Sequence, residues 1–185
     1  TAKTTVAVET QQGPIYLTMT ADKQVIVDMG VPVLEPQKIP FSADQQAATY
    51  PIDVDGQSVQ ISAVSMGNPH GVLVVDAVST APVETWGPAL ECDPKFPAKA
   101  NIGFMEVISG AEIRLRVFER GVGETKACGT GACAAVVAGR LRGLLDQKVT
   151  VHLTGGTLLI EWPGEGEPLI MTGPATTVYE GQIFL

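Results

Sequence analysis

Short β-branched runs separated by turn dipeptides fill most of the chain, and one long apolar pattern of helical period interrupts them. Residues 4–10, 15–20 and 24–29 read as a three-strand meander, broken at Gln12-Gly13-Pro14 and at Ala21-Asp22-Lys23. Residues 31–41 hold Pro32, Pro36 and Pro40, too many for a helix or an inner strand, which predicts an extended connector and a lobe boundary. Residues 50–54 and 57–64 flank Asp55-Gly56, a dipeptide suited to a hairpin turn. Residues 66–71 read as a polar loop set between strands, with 72–75 resuming the strand pattern. Val83, Trp86 and Leu90 recur at helical spacing within residues 79–90 and predict a short surface helix. Further strands are expected at 102–108, 113–118, 148–153, 157–162, 169–172 and 177–185.

The long helical pattern covers residues 132–145, with Cys133, Val136, Val137, Leu141 and Leu144 on one stripe and Arg140 and Arg142 near the end, where cations suit the macrodipole. Its start is predicted at Thr130 and Gly131. The resulting class is α+β: a curled, mostly antiparallel sheet wrapped around one long central helix.

Chemistry concentrates where that helix begins. Cys128 lies just before it, where unpaired N–H groups and the positive end of the dipole stabilise anions, so its thiol is expected to ionise more readily than a free one. The amides of Gly129, Thr130 and Gly131 offer a seat for a carboxylate or phosphate. The plainer reading is a buried cysteine in a glycine-rich turn made only for packing. Cys133, on the apolar stripe, reads as core. Cys92 receives no role, and His152, inside a strand, reads as structural.

Asn68 and His70 admit two readings as well. Asn68 precedes a proline, which favours an extended backbone able to aim its amide into a cleft, and His70 would then be a positioned acid, base or donor. Otherwise they form a turn in which Asn68 bonds its own backbone and His70 is solvated. Asn101 stands at the mouth of a strand. Glu119 and Arg120, delivered by the end of another, are either a surface pair of little consequence or a carboxylate acceptor beside a fork for an anionic group.

Length and charge narrow the partners. The chain of 185 residues suits one domain or two small lobes. A net charge of −8 argues against nucleic acid or an anionic membrane and favours a small molecule. No apolar run is long enough to span a bilayer. Three cysteines without C-x-x-C spacing and the lack of a charged-then-apolar leader predict free thiols in a reducing cytoplasm. Because the chain begins at Thr1 rather than Met, an upstream segment is expected to have been removed.

Four separated motifs, Gly67-Asn68-Pro69-His70, Asn101-Ile102-Gly103-Phe104, the run from Val117 to Thr125, and Ala127-Cys128-Gly129-Thr130-Gly131-Ala132-Cys133, together resemble diaminopimelate epimerase in order and spacing. The resemblance implies a cofactor-independent isomerase that inverts one centre of LL-diaminopimelate to give the meso form, serving lysine and peptidoglycan synthesis. It implies two pseudo-symmetric lobes with one cysteine from each, a thiolate removing the α-proton and a thiol returning one from the opposite face. Position by position, Cys128 resembles the second-lobe catalytic cysteine, with Gly129 and Thr130 holding the α-carboxylate. Asn68, Asn101, Glu119 and Arg120 resemble substrate contacts, and His70 and Glu119 resemble residues that assist proton transfer.

The first-lobe Cys-Gly-Asn-Gly motif that the resemblance calls for is not found in these residues. The reading that follows is a truncated epimerase: residues 29–173 a complete C-terminal lobe, residues 1–28 and 174–185 strands left from the N-terminal lobe. Such a chain is expected to be inactive alone and, with apolar surface uncovered, prone to form a homodimer. Two alternatives remain: a half-length homologue that binds a small molecule without catalysis, and another amino-acid racemase of the same architecture, such as proline racemase.

Overall fold

In the computed structural model, residues 4–10 and 13–183 are described. Alternation of apolar and polar positions produces β1 (Thr5–Thr10), β2 (Gly13–Met19), β3 (Gln24–Asp28), β4 (Tyr50–Val54) and β5 (Gln57–Ser65). Then come β6 (Pro69–Val74), helix α1 (Val83–Glu91), β7 (Asn101–Ser109), β8 (Glu112–Glu119) and β9 (Gly123–Thr125). Helix α2 (Gly129–Leu141) is followed by β10 (Lys148–Leu153), β11 (Gly156–Glu161) and β12 (Ile170–Pro174). The strands join in one sheet of order β1-β2-β3-β12-β11-β10-β8-β7-β6-β5-β4, with β9 paired to β8 off that path. The sheet is mixed, since β6 with β7 and β10 with β8 run parallel.

Its central strands are apolar on both faces because each face is covered. Val64, Val72, Met105, Ile113, Leu115 and Val117 pack with α2, while Ile61, Ala63, Leu73, Ile102 and Phe104 pack with α1 and with Phe41, Tyr50 and Phe96. Strands buried on both sides therefore carry near-continuous apolar runs. The two helices thus lie against opposite faces.

Helix α2 is buried from Gly131 through Gly139 without a break, so the predicted single stripe gives way to a helix enclosed all round. Its small side chains permit this: a Cβ at Gly139 would meet Leu145 Cδ1 at 2.3 Å. The helix also ends four residues before the predicted 145. Gly143, at φ +70°, gives its N–H to the Arg140 carbonyl at 2.9 Å, and Leu144 gives its N–H to Gly139 at 2.9 Å. That paired capping is a Schellman motif, which only a left-handed residue allows.

Other expectations need correction. The proline-rich connector contains one 3-10 turn at Pro36–Lys38, begun by Pro36 itself. The supposed polar loop at 66–71 is half strand: Pro69, His70 and Gly71 already belong to β6, pairing with Ser65, Val64 and Ala63. The strand expected at 177–185 does not form over 177–183, where Val178, Tyr179 and Ile183 are exposed, and its last two residues lie outside those described. In the break at Gln12-Gly13-Pro14, Gln12 also lies outside them. No helix among the described residues is long and apolar enough to cross a membrane.

Candidate functional site

The start of α2 meets the edge of the β5–β6–β7 ladder, and most of the sequence candidates gather there. Cys128 is the N-cap, in extended conformation, and its Sγ accepts the Gly131 N–H at 3.4 Å as a serine hydroxyl would at such a position. Thr130 Oγ1 lies 3.7 Å from the same sulfur and takes a hydrogen bond from Asn68 Nδ2 at 3.5 Å. Asn68 Oδ1 in turn stands 3.0 Å from His70 Nε2. His70, Asn68, Thr130 and Cys128 therefore form one polar chain from β6 to the head of α2.

His70 is not solvated; it is 1% exposed. Burial, reinforced by the Arg120 guanidinium, lowers its pKa from 6.5 to about 3, so the ring is neutral at physiological pH. A neutral ring whose Nε2 faces a carbonyl oxygen must carry its proton there and donate to Asn68. That donation turns the Asn68 amide nitrogen toward Thr130.

Cys128 departs from expectation. The thiol is buried, and burial raises its pKa above the ordinary value despite the Thr130 hydroxyl and Gly131 amide, which lower it. The Glu119 carboxylate pushes the same way as burial. In a group this far from water, loss of hydration outweighs two weak donors. Cys133 behaves as predicted for core: it is fully buried, and burial pushes its thiol pKa well above the ordinary value. Cys92 is exposed at the end of α1, on the other face of the sheet.

Asn101 is 4% exposed and already engaged, giving Nδ2–H to the Pro69 carbonyl at 3.1 Å and accepting the Arg120 N–H through Oδ1 at 3.0 Å. Glu119 and Arg120 do not pair with each other. Glu119 accepts the Thr125 hydroxyl, and Arg120 Nη1 donates to the Ala98 carbonyl at 2.9 Å. The pairing of β9 with β8 brings Thr125 there, a short strand that the sequence pattern did not reveal. His152 bonds Glu112 and Thr157 and has no bond to this cluster. A separate cleft of about 220 Å³ beside it is lined by Arg114 and Arg116, whose charges are matched by Glu106 and Glu124. Among the described residues no three His, Cys, Asp or Glu side chains gather to hold a metal.

Residues 62–178, which contain every member of the polar chain, match the family model described as diaminopimelate epimerase. The chain belongs to the diaminopimelate epimerase family. The diaminopimelate epimerase of Ectopseudomonas mendocina is 57% identical over 185 residues, all of this chain and 67% of its own length. That of Thioalkalivibrio sulfidiphilus is 58% identical over 184 residues, 99% of this chain and 66% of its own length. The chain thus spans about two thirds of these relatives.

Solved structures of lower identity share the fold. A hydroxyproline epimerase from Agrobacterium vitis superposes with a TM-score of 0.66 at 14% identity, covering 94% of this chain and 58% of that one. A phenazine biosynthesis protein of the PhzF family from Bacillus anthracis gives 0.63 at 15% identity, covering 100% and 70%. The architecture is therefore that of the diaminopimelate epimerase and PhzF proteins, a large mixed sheet with two helices.

Proposed function

We propose that these residues supply one face of the acid–base machinery of diaminopimelate epimerisation, with Cys128 as the group that moves the α-proton. The observation that carries the reading is the polar chain from His70 through Asn68 and Thr130 to Cys128, ending at the helix start inside a family member. The Gly129 and Thr130 N–H groups open α2 and face where an α-carboxylate would gain most from the helix dipole. Arg120 offers its guanidinium to the distal carboxylate, and Glu119 accepts from an ammonium group. His70, being neutral, orients Asn68 rather than ferrying protons.

The step conserves protons: the thiolate that takes one ends as a thiol, and the thiol that gives one ends as a thiolate. A thiolate takes the α-hydrogen as a proton, and the electron pair left on Cα spreads into the α-carboxylate, whose growing charge the helix amides stabilise. A thiol on the opposite face then donates its proton to Cα. With its pKa raised, Cys128 rests as the thiol, the donating form. The substrate's α-ammonium, brought close, favours the thiolate and permits the reverse direction.

The second thiol is not Cys133, enclosed behind Cys128 on the same helix, nor Cys92, on the other face of the sheet. These 185 residues alone are therefore expected not to interconvert LL- and meso-diaminopimelate. Residues 29–173 would form one lobe, and β1–β3, continuous with it through β12, would belong to a second. The test is chromatographic resolution of the isomers after incubation with the purified chain. Sustained interconversion, with host enzyme excluded, would show that a thiol within these residues serves the second face and would end this assignment.

A further inference from the structure

Glu91 is 6% exposed at the last position of α1, where the negative end of the helix dipole disfavours a carboxylate. A buried acid in such a place needs partners, and two are present. Its Oε1 accepts the Gly121 N–H at 3.0 Å, and Lys99 Nζ stands 3.6 Å away.

Glu119, Arg120, Gly121 and Val122 form a tight turn, closed by the Val122 N–H on the Glu119 carbonyl at 3.0 Å, with Gly121 at φ +73°. The two central N–H groups of such a turn point outward and cannot bond within it. Here both are caught by buried side chains: Asn101 takes the Arg120 N–H, and Glu91 takes that of Gly121. A third contact, from the Arg120 guanidinium to Ala98, ties the turn to the segment after α1.

We infer that Glu91 is a positioning residue, fixing the Glu119–Arg120–Gly121 turn against the head of α2 through the Gly121 amide. The inference rests on the proposed roles of Glu119 and Arg120 for its meaning, but not for its test. Held by two buried acceptors, the turn keeps the Glu119 carboxylate at a set distance from Cys128. Without Glu91 the Gly121 side of the turn is freed, and Glu119, still paired with β9 and bonded by Thr125, loses one of the restraints that hold its carboxylate near the sulfur.

Two readouts on the 185-residue chain decide this without turnover: hydrogen exchange at the Gly121 amide by NMR, and the pH midpoint of Cys128 alkylation by peptide mass spectrometry. In the wild-type chain the Gly121 amide should be protected. Glu91→Ala should expose it and lower the Cys128 midpoint by about half a pH unit as Glu119 moves away. Glu91→Gln, which keeps an oxygen acceptor, should restore both. A folded Glu91→Ala chain with wild-type midpoint and protection would overturn the inference. Should that variant fail to fold, a wild-type Gly121 amide exchanging like an open turn would overturn it equally, as would Glu91→Gln with an exposed Gly121. Loss of the epimerase reading would instead show as a Cys128 variant of the gene product that still inverts substrate, so the two failures are distinct.

Discussion

His70 Nε2 lies 3.0 Å from Asn68 Oδ1, and the ring donating to that oxygen is buried and neutral beside the Arg120 guanidinium. A histidine in this state links stability to pH. Its folded pKa, about 3, lies below the unfolded 6.5, so between those values the unfolded chain binds the extra proton and stability falls as pH falls. The contribution is fully present above 6.5 and is lost on acidification. Urea unfolding at pH 6.5 and at about pH 5 should differ by about 1.6 kcal/mol more in the wild-type chain than in His70→Gln. Equal slopes in the two proteins would mean that His70 is charged in the folded state.

Thr130 is the only side chain in the polar chain whose hydroxyl reaches both Asn68 and the Cys128 sulfur. Thr130→Val keeps the shape and removes both bonds. The Cys128 midpoint should rise, slowing alkylation near pH 8 by about threefold, and Thr130→Ser should restore it. Unchanged labelling in the valine variant would remove Thr130 from the site.

The three thiols should separate by access. Cys92, exposed, should label first in the native chain; Cys128, buried with a raised pKa, more slowly; Cys133 only on unfolding. This reverses the order that the helix start alone suggests for Cys92 and Cys128. Faster labelling of Cys128 than Cys92 at neutral pH would show that dipole and hydrogen bonds outweigh burial after all.

Much of this arrangement was legible in the sequence, and the failures have physical causes. Strand alternation located most of the ladder, and the Cys128-Gly129-Thr130-Gly131 stretch marked the head of α2 correctly to within a residue or two. Leu144 and Leu145 fit the helical period and carried the predicted helix past Gly143, whose left-handed conformation in fact ends it. The strand at His70 is hidden in the sequence because prolines and glycines read as turn, while here Pro69 and Gly71 are strand residues. Gly71 is small from necessity: a Cβ there would meet Ile61 Cδ1 at 2.5 Å. The sign of the Cys128 shift could not be read at all, since burial depends on strands distant in sequence. Glu91 was missed although a visible signal existed, an acid closing a helix whose dipole opposes it.

The proposed transfer of the diaminopimelate α-proton by Cys128 can be tested directly. The most direct measurement follows deuterium from solvent into the α-position of LL- and meso-diaminopimelate by NMR, using the gene product that carries these residues and its Cys128→Ser variant. Steady incorporation is expected for the unaltered protein and a fall of about a thousandfold or more in the variant, because a serine hydroxyl is far too weak an acid to exchange roles with a thiol. Incorporation by Cys128→Ser at the unaltered rate would contradict the proposed transfer.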